Sequence, residues 1–273
     1  MPPEADLVTL SLGAGLQSSA MVEMVIEGEL PRPDLIIFAD TGDEPEYVYK
    51  QVEYLETRLK LIGMGIEVVS AGNMVEDIYS DTRFAAIPLF TVLEKEVEGF
   101  GQKTKVRTKG RLKRQCTPNY KIYPIEKRIR QELIKCGKAR YNKIGHMLVN
   151  KGVRVVSWLG ITLDEVQRMK PNRTWFIENK YPLIDMRMTR HDCTRWLMSR
   201  GLPVAGKSSC IRCPFHDDGY YLDMKENRPD DWSEVVKFDE DLRSGTLRLK
   251  ETAKGELFMH VSCQPLKDVV LDK

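Results

Sequence analysis

Short apolar runs alternate with helical periods along most of the chain. Leu7 to Leu10, Asp34-Leu35-Ile36-Ile37-Phe38-Ala39 and Val153 to Ser157 are near-continuous apolar stretches of strand length. Strands buried on both faces read this way, because a parallel sheet covered by helices leaves neither face to water. Between them, Tyr47 to Leu61 carries apolar positions at helical spacing, Pro124 to Lys143 reads as a basic helix, and Thr189 to Gly201 reads as another. Asp217 to Lys273 adds acidic helical stretches around Trp232 and Phe238. This order predicts an α/β fold: a Rossmann-like parallel sheet flanked by helices, with a cysteine-containing helical C-terminal region packed on it.

The first strand-to-helix junction carries the most chemistry. Ser11-Leu12-Gly13-Ala14-Gly15-Leu16-Gln17-Ser18-Ser19 follows the first apolar run and opens a helical pattern. Such a turn aims several backbone N–H groups without intrahelical partners at one point, where the helix dipole adds about half a positive charge. A phosphate fits there: Gly13 and Gly15 permit close backbone approach, and Ser11, Ser18 and Ser19 supply hydroxyl donors. No lysine follows the last glycine, as a Walker loop requires, and the three-glycine dinucleotide spacing is absent.

The same residues resemble the PP-loop of the adenine nucleotide alpha-hydrolase-like (HUP) superfamily, whose pattern is Ser-Gly-Gly-x-Asp-Ser. Gly13-Ala14-Gly15-Leu16-Gln17-Ser18 occupies it, with Ala14 in place of a glycine and Gln17 in place of an aspartate that in relatives lies near metal-bound pyrophosphate. Asp40-Thr41-Gly42-Asp43-Glu44-Pro45-Glu46, turning out of the second strand into a helix, looks like the phosphoadenosine phosphosulfate reductase branch. Standing alone, Asp40 and Thr41 would do no more than cap that helix. A further block, Trp158-Leu-Gly160-Ile161-Thr162-Leu-Asp164-Glu165-Val-Gln-Arg168-Met169, matches the branch with Thr162 where a substrate-binding arginine belongs and Arg168 near the place of the second. The resemblance implies ATP as ligand, with Mg2+ made less secure by Gln17. It assigns Ser11, Gly13, Ala14, Gly15, Gln17, Ser18, Ser19, Asp40 and Thr41 to the nucleotide, and Lys121, Arg168 and Asp40 to the chemistry.

Composition sets wider bounds. The chain has 273 residues, 42% hydrophobic, enough for one large α/β core plus an accessory region. No apolar run approaches the roughly 18 residues that cross a bilayer, and Met1 to Asp6 carries no basic segment ahead of an apolar one, so a cytoplasmic protein without a membrane partner is expected. The net charge of +2 conceals an asymmetry: Lys103 to Lys143 holds fifteen Lys or Arg against Glu126 and Glu132, a net +13. Polyanions are the natural partners of such a segment. Its first part, Lys103 to Arg114, lacks a sustained apolar period and is expected to form a mobile loop over the site; without interleaved aromatics it suggests phosphate contacts rather than base reading.

Six cysteines complete the inventory: Cys116, Cys136, Cys193, Cys210, Cys213 and Cys263. A cytoplasmic chain has no use for a disulfide framework, and Cys210-Ile-Arg-Cys213-Pro214 has the spacing of a metal half-site or a redox pair. Arg114-Gln115-Cys116-Thr117-Pro118-Asn119-Tyr120-Lys121-Ile122-Tyr123-Pro124-Ile125 resembles the segment of cluster-containing adenylylsulfate reductases in which two adjacent cysteines precede a later Cys-x-x-Cys. That resemblance implies a [4Fe-4S] cluster on Cys116, Cys210 and Cys213, with Thr117 at the fourth ligand's place and Cys193 the nearest substitute; an open iron, or Cys263, are alternatives. Zinc on Cys193, Cys210, Cys213 and His216 is the other metal reading. Cys136 is expected to be a small core residue.

The resemblance spans Val8 to His216 and implies an ATP-dependent adenylating sulfurtransferase that acts on a nucleic acid, tRNA or DNA, held by residues 103–143. Relatives that sulfurate the DNA backbone or thiolate tRNA are the precedents by analogy. A sulfur-donor protein such as a cysteine desulfurase is implied as partner, and self-association as a homodimer is left open. Two other classes remain. A phosphoadenosine phosphosulfate or adenylylsulfate reductase would need a catalytic C-terminal cysteine, for which Cys263 is a poor substitute. A nucleotide-dependent sensor would bind without turnover. The expected division is a nucleotide-binding domain over residues 1–216, with a basic insertion at about 99–145, and a C-terminal region over 217–273.

Overall fold

The computed structural model describes residues 4–80, 87–99, 102–247 and 255–272, with side chains at 97–104, Lys103 among them, outside the described set. In chain order the elements are β1 (Leu7–Leu12), α1 (Leu16–Ile26), β2 (Leu35–Asp40), α2 (Glu46–Lys60), β3 (Ile66–Ser70), α3 (Met74–Tyr79), β4 (Phe90–Gly99), β5 (Gln102–Arg111) and, after a π-helical turn at Thr117–Ile122, α4 (Tyr123–Lys135). There follow β6 (Ala139–Tyr141), β7 (Met147–Val149), β8 (Val155–Leu159), a 3-10 turn at Leu163–Arg168, β9 (Ile177–Lys180), α5 (Pro182–Asp185), α6 (Arg190–Met198), α7 (Asp218–Asn227), α8 (Pro229–Ser244) and β10 (Glu256–Phe258).

The chain forms two compact units, neither of them continuous in sequence. The first gathers residues 1–40, 46–71 and 121–208; the second gathers 41–45, 72–120 and 209–273. The boundary expected at 216/217 does not coincide with this division, and the basic stretch 103–143 is itself cut between Tyr120 and Lys121.

The first unit is built on a five-stranded sheet in the order β3-β2-β1-β8-β9, parallel throughout. The predicted α/β, Rossmann-like arrangement is therefore present. Alternate strand residues feed two different cores: Leu10, Leu12, Ile36, Phe38, Val156 and Trp158 pack with α1, α2 and α6, whereas Leu7, Leu35, Ile37 and Val155 pack with Ile129 and Leu133 of α4. Continuous apolar runs were needed because both faces are covered. The helix expected over Pro124 to Lys143 stops at Lys135, where Gly137 turns the backbone to φ +69° and the chain leaves as the β6–β7 hairpin. Cys136 is consequently exposed at that C-cap rather than a core residue.

The second unit carries a three-stranded antiparallel sheet, β10-β4-β5, with α3, α7 and α8. Here the expected mobile loop is corrected: Lys103 to Arg111 lies in β5, paired along its length with β4. The reason is legible in the residues. Lys103, Lys105, Arg107, Lys109 and Arg111 recur at every second position, the period of a strand, and their alternation was masked by the absence of apolar residues. In the hairpin Lys105 stands opposite Glu96 and Arg107 opposite Glu94, with Arg107 and Glu94 3.3 Å apart. Cross-strand charge pairing replaces apolar burial as the specification of register. Asp239 of α8, fully buried, ties down the C-terminal segment: it accepts the N–H groups of Met259 at 2.9 Å and Leu266 at 2.8 Å and pairs with Arg243 at 2.6 Å. No helix among the described residues is long and apolar enough to cross a membrane.

Candidate functional site

In the first unit, β1 lies centrally, with the chain continuing through α1 to β2 on one side and β8 placed on the other. This reversal of strand order leaves a crevice beyond the carboxyl ends of β1 and β8, the place where open parallel sheets bind ligands. The loop Leu12 to Ser19 occupies that point. Gly15 is the N-cap of α1 in extended conformation and supplies no side-chain cap, and the first turn contains no acidic residue. The helix's leading N–H groups therefore face outward with their partial positive charge intact.

Several contacts fix the loop. Gly13 N–H donates to Ser18 Oγ at 3.2 Å, Ser18 Oγ donates to the Gly15 carbonyl at 3.3 Å, and Ser19 N–H closes the first helical bond to Gly15 at 3.0 Å. Ala14 sits at φ +54°, a left-handed conformation that costs an L-residue roughly 1 kcal/mol or more. Two glycines are required by close approach. A Cβ on Gly15 would lie 2.8 Å from Ser208 Oγ, and one on Gly160, just beyond β8, would lie 2.9 Å from Ser18 N and 3.2 Å from Ser18 Cα. The block containing Gly160 thus lies directly against the start of α1.

That block also reaches the loop through side chains. Gln17 Nε2 donates to Glu165 Oε2 at 3.0 Å, and the same carboxylate pairs with Arg168 at 2.8 Å and with Arg190 at 3.8 Å. Gln17 and Arg168 are thereby joined through Glu165. Asp40, at the end of β2, accepts the Tyr49 hydroxyl at 2.9 Å. Ser11 is half-buried in β1, Ser19 is buried, and Lys121 is half-buried in the last turn before α4. Glu165 is thus engaged by one amide and two guanidiniums.

Thr41 belongs to the second unit, where it forms part of a different arrangement. The turn Thr41-Gly42-Asp43-Glu44 holds the Cys210–Cys213 turn. Asp43 accepts the Ile211 N–H at its carbonyl, 2.7 Å, and the Arg212 N–H at its carboxylate, 2.9 Å, and it pairs with the Arg212 guanidinium. Burial pushes the Asp43 carboxyl up to about 6, opposed by the attraction of Arg212. The Cys210 thiol lies 3.4 Å from Glu44 Oε1, to which it donates, and 3.4 Å from Thr41 Oγ1. His216 Nε2 contacts the Cys210 carbonyl at 3.0 Å and its ring stacks on Tyr220 at 3.7 Å between centroids, so it orients the cysteine turn. Asp43 and Glu44 were not singled out by sequence reasoning; their signal was the acidic pair directly after Asp-Thr-Gly.

The candidate metal ligands are divided. Cys116, Cys210 and Cys213 lie half-buried in the second unit, whereas Cys193 belongs to the core of the first. Cys193 is fully buried among apolar side chains, and burial, reinforced by the charges of Asp164 and Asp192, pushes its thiol up to about 12. In the metal-free protein a thiol so far above neutrality stays protonated. Among the described residues no group of three or more His, Cys, Asp or Glu side chains is arranged to hold a metal ion. Cys263 is buried against Val92 and Phe258 at φ +57°.

No family model matches the chain, and no curated protein matches it. Among solved structures, phosphoadenylyl-sulfate (PAPS) reductase from Candida auris, as its phosphate complex, is similar over 73% of this chain and 75% of that one, at 12% identity and a TM-score of 0.39.

Proposed function

We propose that the chain is an ATP-binding enzyme that adenylates an acceptor and passes sulfur to it, with a nucleic acid, tRNA or DNA, as the acceptor. The single observation that carries the reading is the loop Leu12 to Ser19: an uncapped helix N-terminus with hydroxyls of Ser18 and Ser11, set at the crevice between β1 and β8 and packed against Gly160. Backbone donors fixed before the reaction stabilise charge that develops on a leaving pyrophosphate without reorganising.

In the proposed sequence an acceptor oxygen attacks the α-phosphorus of ATP, the bond from that phosphorus to the bridging oxygen breaks, and pyrophosphate leaves against the loop. A persulfide sulfur, delivered by a donor protein of the cysteine desulfurase kind, then attacks the activated acceptor atom, AMP departs with the original oxygen, and a thiol reductant cleaves the S–S bond left between acceptor and donor. Lys121 is the cation assigned to the phosphates. Arg168 shares its charge with Glu165, so its assigned part is to hold Glu165, and through it Gln17, in place.

Pyrophosphate release tests the reading. Wild-type protein with ATP and tRNA or duplex DNA should release pyrophosphate, and the Gly15→Val, Ser18→Ala double variant should not. A phosphoadenosine phosphosulfate reductase releases none, and a nucleotide sensor binds without turnover, so absence of release with every acceptor would overturn the proposal.

A further inference from the structure

Within the second unit, the end of the β4–β5 hairpin concentrates unbalanced positive charge on an aromatic ring. Toward the hairpin tip the cations of β5 stand opposite carboxylates, Lys105 across from Glu96 and Arg107 across from Glu94. Toward its other end they do not: Lys109 stands opposite Val92 and Arg111 opposite Phe90. Lys109 donates its ammonium to the Ser262 carbonyl at 2.8 Å and pairs with no carboxylate among the described residues. The Leu112 N–H bond to the Leu89 carbonyl, 2.8 Å, fixes the exit of the strand. Both the Arg111 and the Arg114 guanidinium then lie over the same ring, Phe215, at 4.9 and 5.5 Å from its centroid.

Neither arginine makes an ion pair with any described residue, and both are exposed, as is Phe215 at 37%. Two like charges gathered on one ring repel, and the ring's quadrupole compensates only part of that cost. What it supplies is position: stacking fixes two planar five-donor forks whose N–H groups meet no acceptor among the described residues, and planar forks match the oxygens of a phosphoryl group. Ordering them beforehand removes an entropy cost from binding. Sequence places the ring next to Cys213-Pro214 and Arg114 two residues before Cys116, so the cluster joins the two cysteine segments.

We propose that Arg111, Arg114 and Phe215 form a binding site for a phosphoryl group, and that this group is a backbone phosphate of the acceptor strand. The assignment of the strand rests on the nucleic-acid reading above; the assignment of the anion does not. In this site the guanidiniums hold a phosphate and Phe215 holds the guanidiniums. Base identity contributes nothing to it.

The test uses the full chain and two probes. Anisotropy of a short fluorescein-labelled single-stranded oligonucleotide, followed over a salt series, should show the Arg111→Gln, Arg114→Gln variant with a shallower dependence of log K on log salt, by about 0.7 for the one lost phosphate contact. Arg111→Lys with Arg114→Lys should keep most of the slope, and Phe215→Leu should weaken binding with less change in slope. Inorganic phosphate, followed by phosphorus NMR line width in a Gly15→Val background that silences the first unit's loop, tests the anion without the strand. A response of the oligonucleotide arm supports the site with its strand phosphate. Broadening of inorganic phosphate that the Gln variant abolishes, without an oligonucleotide response, supports the anion site and overturns the strand. No difference between wild type and the Gln variant in either arm overturns both. ATP affinity of the Gln variant, measured alongside, should equal wild type; its loss in wild type as well would count against the loop and leave this site untouched.

Discussion

Gly160→Ala adds a single methyl group to the first unit and is the sharpest test of how the loop proposed to hold phosphate is built. The new Cβ would stand 2.9 Å from Ser18 N, 3.2 Å from Ser18 Cα and 3.3 Å from Gln17 C. All three are backbone atoms of the first turn of α1, so no rotamer change relieves the overlap; β8 or the helix must move. Overpacking of this kind costs about 1–3 kcal/mol, offset by the roughly 0.4–1 kcal/mol that alanine gains by restricting the unfolded chain. The displaced atoms are those that would face a phosphate, so the affinity loss should exceed the stability loss: a shift of a few tenths of an ångström in preorganised donors can remove on the order of 1–2 kcal/mol, about five- to thirtyfold in Kd. Two companions calibrate the result. At Gly15 the nearest neighbour of a new Cβ is the Ser208 hydroxyl at 2.8 Å, so Gly15→Ala should be harmful but partly rescued by Ser208→Ala; at Gly13 it is the same hydroxyl at 3.5 Å, an ordinary contact, so Gly13→Ala should fold normally. Calorimetric titration with ATP, with thermal unfolding of the same preparations, reads both quantities. Gly160→Ala protein that binds ATP as wild type does, at an unchanged Tm, would refute the packing argument and the loop's assignment with it.

Ala14→Gly should be neutral or stabilising by up to about 1 kcal/mol, because relief of the left-handed φ outweighs glycine's unfolded-state entropy, whereas Ala20→Gly inside α1 should cost about 1 kcal/mol or more; equal destabilisation in urea titrations would contradict the strain at Ala14. Cys193→Ser places a hydroxyl in the apolar core of the first unit and should destabilise by about 1–3 kcal/mol, while iron, sulfide and zinc analysis of anaerobically purified protein should match wild type. A drop in bound metal would place Cys193 in the ligand set. Asp43 gives a pH dependence whose sign is fixed. Its folded carboxyl, raised to about 6 against 3.8, holds its proton more tightly than the unfolded chain does. The group's contribution to stability is therefore greatest below pH 4, is lost as pH rises from about 4 to 6, and amounts to on the order of 3 kcal/mol. Urea unfolding of wild type and Asp43→Asn at several pH values between 4 and 7.5 should show a difference that changes over that window; a constant difference would show that Arg212 holds the carboxylate ionised throughout.

The parallel sheet was legible because its physics is local: strands covered on both faces must be apolar at every position, and Leu7 to Leu10, Leu35 to Ala39 and Val153 to Ser157 are. The turn between β1 and α1 was legible for a similar reason, since glycines between a strand and a helix announce a backbone that approaches something closely. What escaped was encoded in pairs. The alternation of Lys105, Arg107 and Lys109 was visible but carried no strand signal until Glu94 and Glu96 faced it across a turn, and a net charge summed over residues 103–143 counted cations without the glutamates lying opposite them. In α4 likewise, Arg128 pairs with Glu67 at 3.1 Å and Glu132 at 2.8 Å, and Arg130 with Glu126 at 3.1 Å. A basic segment therefore overstates the charge offered to a partner by the number of carboxylates the fold returns to it, and only the cations left over locate a binding surface. The burial of Cys193 was hidden for the same kind of reason: adjacency to Cys210 along the chain suggested proximity to the turn, but the capped helix Arg190–Met198 packs it against α1 in the core of the first unit, a position that suits cysteine by its size and apolarity.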